Sequence, residues 1–184
     1  MRVVIVYESL FGNTREVAGA IRDGIAAARP EASVSCVQAT EADRDLALGA
    51  DLLVVGGPTH LHGLSTTVTR KMGLKAEQRV PAGVPGHGPE PGAAGPGIRE
   101  WFRGLPKAPA GSRSAAFDTR GDVRHSGGAA GGIARRLRRH GYELIGEPAG
   151  FLVEDVEGPL REGEQDRARA WGASLLAWPV ACPR

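Results

Sequence analysis

A short turn, Glu8–Gly12 (ESLFG), joins the apolar run Val3–Tyr7 to a helix opened by Asn13 and Thr14. Ser9, Asn13 and Thr14 bring hydroxyl and amide groups to it, and its backbone N–H groups lie at a helix N-terminus, where the macrodipole and unsatisfied donors favour an anion. That set suits a phosphate monoester bound without lysine or arginine. Two further loops, Gly56–Ser65 (GGPTHLHGLS) and Asp118–Gly132 (DTRGDVRHSGGAAGG), also join glycine to hydroxyl residues after an apolar run. His60 and His62 stand in the first, and an imidazole with a pKa near ~6.5 suits a proton-coupled step. Arg120 brings a cation to the second. The histidines at 60, 62, 87, 125 and 140 do not fall with cysteines or carboxylates at ligand spacing, so no metal site is expected and no residue is assigned a catalytic acid–base or nucleophilic role.

Other phosphate loops fit poorly. A Walker loop needs a lysine followed by Ser or Thr after its glycines, and a dinucleotide fingerprint needs three glycines in GxGxxG. The turn before Thr14 has no lysine and only Gly12.

The elements that position these loops alternate. Val3–Tyr7 and Asp51–Gly56 (DLLVVG) are continuous apolar runs of the kind buried on both faces of a parallel sheet. Between them, Val17, Ile21, Ile25 and Ala28 make one apolar stripe of a helix over 14–28, with Asn13 and Glu16 resembling a capping box. Pro30 ends that helix. Ala32–Val37 is half-polar and reads as an edge strand, and a brief acidic helix follows over 41–48. A helix over 65–78 is predicted to turn Val68, Met72 and Leu74 inward, and Ile98–Leu105 to bury Trp101 or Phe102. The Gly/Pro-rich stretch 79–97 is predicted to be a loop without regular structure, or a lid over the ligand. Arg113–Asp118 is the fourth strand. A helix over 133–141 follows with four arginines on a solvated face. A fifth strand at 151–153 is expected, with a start at Leu144 and an interruption near Pro148, and a final helix over 163–178 turns Ala168, Trp171, Leu175 and Leu176 inward. Such βαβ alternation predicts an α/β, three-layer, doubly wound fold whose ligand loops meet beyond the carboxyl ends of the strands.

With 184 residues and 41% apolar composition, the chain is expected to form a single domain over 1–178, with a tail at 179–184. A net charge of +2, spread along the chain, gives no basic stripe for nucleic acid. No apolar run approaches the ~18 residues of a membrane span, and Met1 leads directly into the first strand, so a cytoplasmic protein is expected. Cys36 and Cys182 then read as free thiols.

Ser9, Gly12, Asn13 and Thr14 resemble the phosphate loop of the flavodoxin family, which runs Ser or Thr, any residue, Thr, Gly, Asn, Thr at the end of strand one. Phe11 stands where the family more often has Thr. The resemblance implies that Ser9, Leu10, Phe11, Gly12, Asn13 and Thr14 bind the phosphate of FMN. By position, Pro58, Thr59, His60, Leu61, His62 and Gly63 would lie beside the isoalloxazine ring, with Asp118, Thr119, Arg120 and Gly121 in the other ring-flanking loop. It also implies a five-stranded parallel sheet of order 2-1-3-4-5 and a carrier role between a reductase and an electron acceptor. The Gly158-Pro159-Leu160 turn is similar to the ending of bacterial flavodoxin-domain proteins rather than of the well-known carriers.

The sequence departs from the family at the ring. Neither loop has the usual Trp or Tyr, and His60 or Leu61 occupies the place of the Trp. Family carriers are also acidic, whereas this chain is slightly basic with Arg120 at the ring, so its reduced flavin is expected to be better stabilised. Two alternatives stay open: an FMN-dependent NAD(P)H:quinone oxidoreductase acting on a quinone-like small molecule, and a flavin-free binding module on the same fold.

Overall fold

Strands buried on both faces need uninterrupted apolar sequence, and the two that have it form the centre of the sheet. The computed structural model describes residues 1–60, 63–77, 89–122, 128–155 and 158–177, excluding the side chains of 73–77. β1 (Arg2–Tyr7) and β3 (Leu52–His60) run parallel, from Val3 opposite Leu52 to Tyr7 opposite Gly56. The half-polar β2 (Ser33–Gln38) takes the edge beside β1. β4 (Gly63–Leu64) is a short antiparallel return against the end of β3. β5 (Arg113–Gly121) flanks β3, and both β6 (Glu143–Leu144) and β7 (Ala149–Val153) pair parallel with it. Counting β6 and β7 as two halves of one interrupted strand gives the expected order 2-1-3-4-5.

Alternation of side chains along these strands builds two cores. Val3, Ile5, Leu52, Val54 and Phe117 face α1 (Asn13–Ala28) and α6 (Glu164–Ser174). Val4, Val6, Leu53, Val55 and Ala116 face α2 (Arg44–Leu48), α4 (Ile98–Gly104) and α5 (Ala129–Arg139). The remaining helix, α3 (Thr67–Glu77), follows β4. Trp101 and Phe102 are both buried, and Trp101 Nε1 donates to the Ala42 carbonyl at 3.1 Å. Phe117, Phe151 and Trp171 meet edge-to-face at centroid distances of 6.1 to 6.3 Å. Among the described residues no helix is long and apolar enough to cross a membrane.

Several local expectations are corrected. Asn13 is the first helical residue of α1 rather than its cap: Gly12, which has no side chain, takes that position. Glu16 accepts from Gln165 on α6 instead of closing a capping box. Ala28 is exposed. On α3, Val68 and Met72 point to solvent, at 66% and 61% exposure, and Arg70 turns inward at 3%; Leu74's side chain lies outside the described residues. Arg70 wins the inward position because carboxylates await it there, as shown below. The acidic helix shortens to 44–48, capped by the Asp43 carboxylate, which accepts from Asp45 N at 3.2 Å. β5 runs on to Gly121, and α5 starts at Ala129 rather than 133, because side chains from β3 and β5 receive its first N–H groups. Three of the four arginines on α5 are exposed as expected, and Arg136 is half-buried. Burial of Cys36 pushes its thiol up to about 11. Cys182, residues 78–88 of the Gly/Pro stretch and the 179–184 tail lie outside the described residues.

α1 and α6 touch backbone to backbone. A Cβ on Gly172 would lie 2.4 Å from the Ile21 carbonyl oxygen, and one on Gly24 would lie 2.0 Å from that of Arg169. Overpacking of this kind costs about 1–3 kcal/mol. Gly172→Ala is therefore expected to lower the denaturant midpoint. Gly19→Ala on the same helix pair, where a Cβ meets nothing within 4 Å, should raise stability by up to ~1 kcal/mol through helix propensity.

Candidate binding site at the carboxyl end of the sheet

The chain leaves β1 with one more sheet-like bond, Glu8 N to the Gly56 carbonyl at 3.0 Å. It then turns at Gly12, whose φ of 96° is open to glycine and strained for other residues. Ser9 Oγ accepts from Gly12 N at 3.1 Å, and Glu16 N donates to the Gly12 carbonyl at 2.9 Å to begin α1. The first-turn N–H groups of Thr14 and Arg15 belong to the set an α-helix cannot satisfy within itself. Ser9, Leu10, Phe11, Gly12, Asn13 and Thr14 are all buried. The Gly158–Leu160 turn closes on the loop: a Cβ on Gly158 would lie 2.4 Å from Asn13 Oδ1. The structure thus brings Ser9–Thr14 together as one buried, lysine-free cradle at the N-terminus of α1.

Thr14 Oγ1 shares a hydrogen bond of 2.8 Å with Thr119 Oγ1, linking this cradle to the end of β5. Thr119 is buried on the α1 face, whereas Asp118 faces α5. Asp118 Oδ2 accepts from Thr59 Oγ1 at 3.1 Å and from Ala130 N at 2.9 Å, while Thr59 Oγ1 accepts from Ala129 N at 2.9 Å. Thr59 and Asp118 therefore serve α5 as a shared cap. Burial pushes the fully enclosed Asp118 carboxyl up, against the pull of the Ala130 N–H and Arg120. Arg120 Nε lies 3.8 Å from Asp118 Oδ1, and a Cβ on Gly150 would lie 2.6 Å from its guanidinium. Arg120 is thus paired on the α5 side. Pro58, His60 and Gly63 are half-buried at the β3–β4 return, and Gly121 is half-buried at the end of β5. Leu61 and His62 lie outside the described residues.

Sequence reasoning missed a buried ion network directly behind these loops. Arg70 Nη2 reaches Glu100 Oε2 at 3.1 Å, Nη1 donates to Ser65 Oγ at 2.9 Å and stands 3.8 Å from Glu8 Oε1. Ser65 Oγ donates to Glu8 in turn. The outer carboxylate oxygens also cap α4, Glu8 Oε2 accepting from Ile98 N at 2.8 Å and Glu100 Oε2 from Gly97 N at 3.1 Å. An arginine on an amphipathic helix reads as a solvated residue, so the sequence signalled only Glu8, a charge directly after five buried apolar residues. The network acts on the end of β3. His60 is pushed below its ordinary value of 6.5, first by burial and then by the Arg70 cation, against the Glu8 carboxylate.

No protein-family model and no curated protein sequence matches the chain. Solved structures do. Flavodoxin 1 from Bacillus cereus superposes with a TM-score of 0.64 at 14% identity, over 96% of this chain and 98% of that one. A flavodoxin from the domain Archaea gives 0.61 at 17%, over 96% and 97%. The chain has the flavodoxin-like fold. A WrbA-like flavodoxin from Agrobacterium tumefaciens gives 0.51 at 17% identity, over 96% and 95%. Against that fold, the cradle at Ser9–Thr14 follows strand one, and the Thr59–Asp118 pair joins the ends of the third and fourth strands in the order 2-1-3-4-5.

Two outcomes follow for this flavodoxin-like chain. Removing one member of a buried ion pair costs about 3–5 kcal/mol, so Arg70→Met should lower stability by that order in a denaturant titration, through the stranded Glu8 and Glu100. In an NMR titration His60 should ionise below 6.5, and the midpoint should rise in Arg70→Met as the neighbouring cation is lost. A lowered folded value means His60's contribution to stability is whole above pH 6.5 and is lost as pH falls through 6.5 toward the folded value. His60→Gln should remove that part of the acid sensitivity.

Proposed function

We propose that the chain binds FMN, with its phosphate in the Ser9–Thr14 cradle and its isoalloxazine ring beside residues 58–63 and 118–121, and carries electrons between a reductase and an acceptor protein in the cytoplasm. One observation supports this most. The N–H groups at the starts of α4 and α5 are taken by carboxylates and a threonine hydroxyl, whereas the cap position of α1 is a left-handed glycine, Gly12, whose own N–H is held by Ser9. A helix start behind a left-handed glycine, lined by Ser9 and Thr14 and without lysine, has the donors that suit a phosphate monoester. Among the structural neighbours, the flavodoxin of Megasphaera elsdenii is described in a two-electron-reduced form, at a TM-score of 0.55 and 18% identity.

Bound FMN would supply the redox chemistry, transferring electrons singly or in pairs. This chain's own residues bind and orient. Ser9 and the first-turn N–H groups of α1 hold the anion, and the Thr14–Thr119 bond fixes the distance between phosphate end and ring end. His60 keeps a neutral imidazole at the ring-side loop, able to accept a proton. Arg120, paired with Asp118, places a partly offset positive charge on the same side, in a chain that is slightly basic overall.

A second reading, direct NAD(P)H:quinone turnover on the same flavin, draws on the ring-side sequences 57–63 and 118–121, which contain no Trp, Tyr or Phe to cover the ring. Turnover of NADPH and a quinone by the purified chain alone favours that reading, and turnover only after a reductase is added favours the carrier. Both require FMN. Titration with FMN should give a protein-bound spectrum with absorbance near ~450 nm, the flavin carrying the chemistry. Ser9→Ala should weaken FMN about tenfold, as for loss of a hydrogen bond to a charged group, and leave riboflavin binding unchanged. A chain that stays colourless after incubation with FMN would show the fold serving as a flavin-free binding module.

A further inference from the structure

The Gly/Pro-rich stretch returns to the cradle at its described end. Glu90 N donates to the Leu10 carbonyl at 2.9 Å, and Ala93 packs with Leu10 and Phe11 in a small apolar cluster. This folds the segment 89–97 over the loop and carries the Glu90 carboxylate to the start of α1. Glu90 Oε1 accepts from Arg15 Nε at 2.5 Å, and a Cβ on Gly12 would lie 3.5 Å from that oxygen and 3.7 Å from Arg15 Nη2. The Glu90 side chain is only 9% exposed, and its second oxygen, Oε2, is buried without a hydrogen-bond partner among the described residues.

A buried, unpartnered carboxylate oxygen is costly, and its position explains why it is tolerated. Negative charge is stabilised at a helix N-terminus. The same field would stabilise a phosphate. The two anions cannot share the site without repulsion, since unit charges ~4 Å apart interact by about 1 kcal/mol even in a water-like medium, and by more when partly buried. Arg15, more than half exposed at 55%, pairs with Glu90 among the described residues and is free to change partner.

We infer that Glu90 is a built-in occupant of the cradle's mouth which a ligand phosphate displaces, and that Arg15 passes from Glu90 to that phosphate. This rests on the reading of Ser9–Thr14 as a phosphate site. The exchange makes FMN affinity a competition between two anions for one helix start. It also adds a cation to a loop that is otherwise neutral, so the discrimination between FMN and riboflavin is set by Glu90 and Arg15 together. Leu10 and Phe11 report on the same exchange, because the segment carrying Glu90 rests on them.

The test is equilibrium titration of the full chain with FMN and with riboflavin, read by flavin fluorescence, for the wild type, Glu90→Gln, Glu90→Ala and Arg15→Gln. Both Glu90 variants should bind FMN about fivefold more tightly or better, the effect of removing one unit charge ~4 Å away, with riboflavin unchanged. Arg15→Gln should weaken FMN by a similar factor. FMN affinity that is unchanged or lower in both Glu90 variants, or unchanged in Arg15→Gln, overturns the inference while FMN binding by the wild type leaves the phosphate reading standing. A wild type that binds FMN no more tightly than riboflavin overturns the phosphate reading itself, and this inference with it.

Discussion

Every helix that starts inside a folded protein leaves N–H groups in need of acceptors, and how this chain meets that need decides what its carboxyl-end loops are for. At α5 the need is met by Asp118 and Thr59, one from each of two adjacent strands. At α4 it is met by Glu8 and Glu100, which also hold Arg70. These caps lock the ends of β1, β3 and β5 to the helices on one face of the sheet. At α1, on the other face, the cap position falls to Gly12, which has no side chain to offer. Ser9 takes the Gly12 N–H, and the Glu90 carboxylate stands beside that glycine. The start of α1 thus differs from those of α4 and α5, whose first N–H groups are held by side chains from the strand ends.

The same caps occupy polar side chains at the ends of β3 and β5. Thr59 and Asp118 are spent on α5, and Arg120 is drawn toward Asp118. What remains at the ends of β3 and β5 is half-buried chain at Pro58, His60, Gly63 and Gly121, with His60 held below its ordinary value by burial and by Arg70. The Thr14–Thr119 bond ties the end of β5 to the start of α1.

The sheet was legible in the sequence because parallel strands buried on both faces must read as unbroken apolar runs, and Val3–Tyr7 and Leu52–Val55 do. The cradle was legible for a related reason: a turn short of space and rich in hydroxyls after a buried strand has few physical uses. Where the reading failed, a polar side chain had taken a place that periodicity assigns to an apolar one. Arg70 displaces Val68 and Met72 from the inward face of α3 because Glu8 and Glu100, distant in sequence, supply its counter-charges. The AAGG start of α5 looked like loop because no propensity argument foresees caps delivered by Thr59 and Asp118. Glu90 lies at the end of a stretch whose composition predicts only irregular chain, and nothing local tells where such chain returns.

The central claim, that the start of α1 holds a phosphate, is tested most directly by following backbone amide resonances as ligand is added. With FMN, the amides of Gly12, Asn13, Thr14 and Arg15 should shift together and saturate with the flavin signal, whereas riboflavin should leave them nearly in place. Shifts that cluster at another helix start, or that are the same for FMN and riboflavin, would contradict the account.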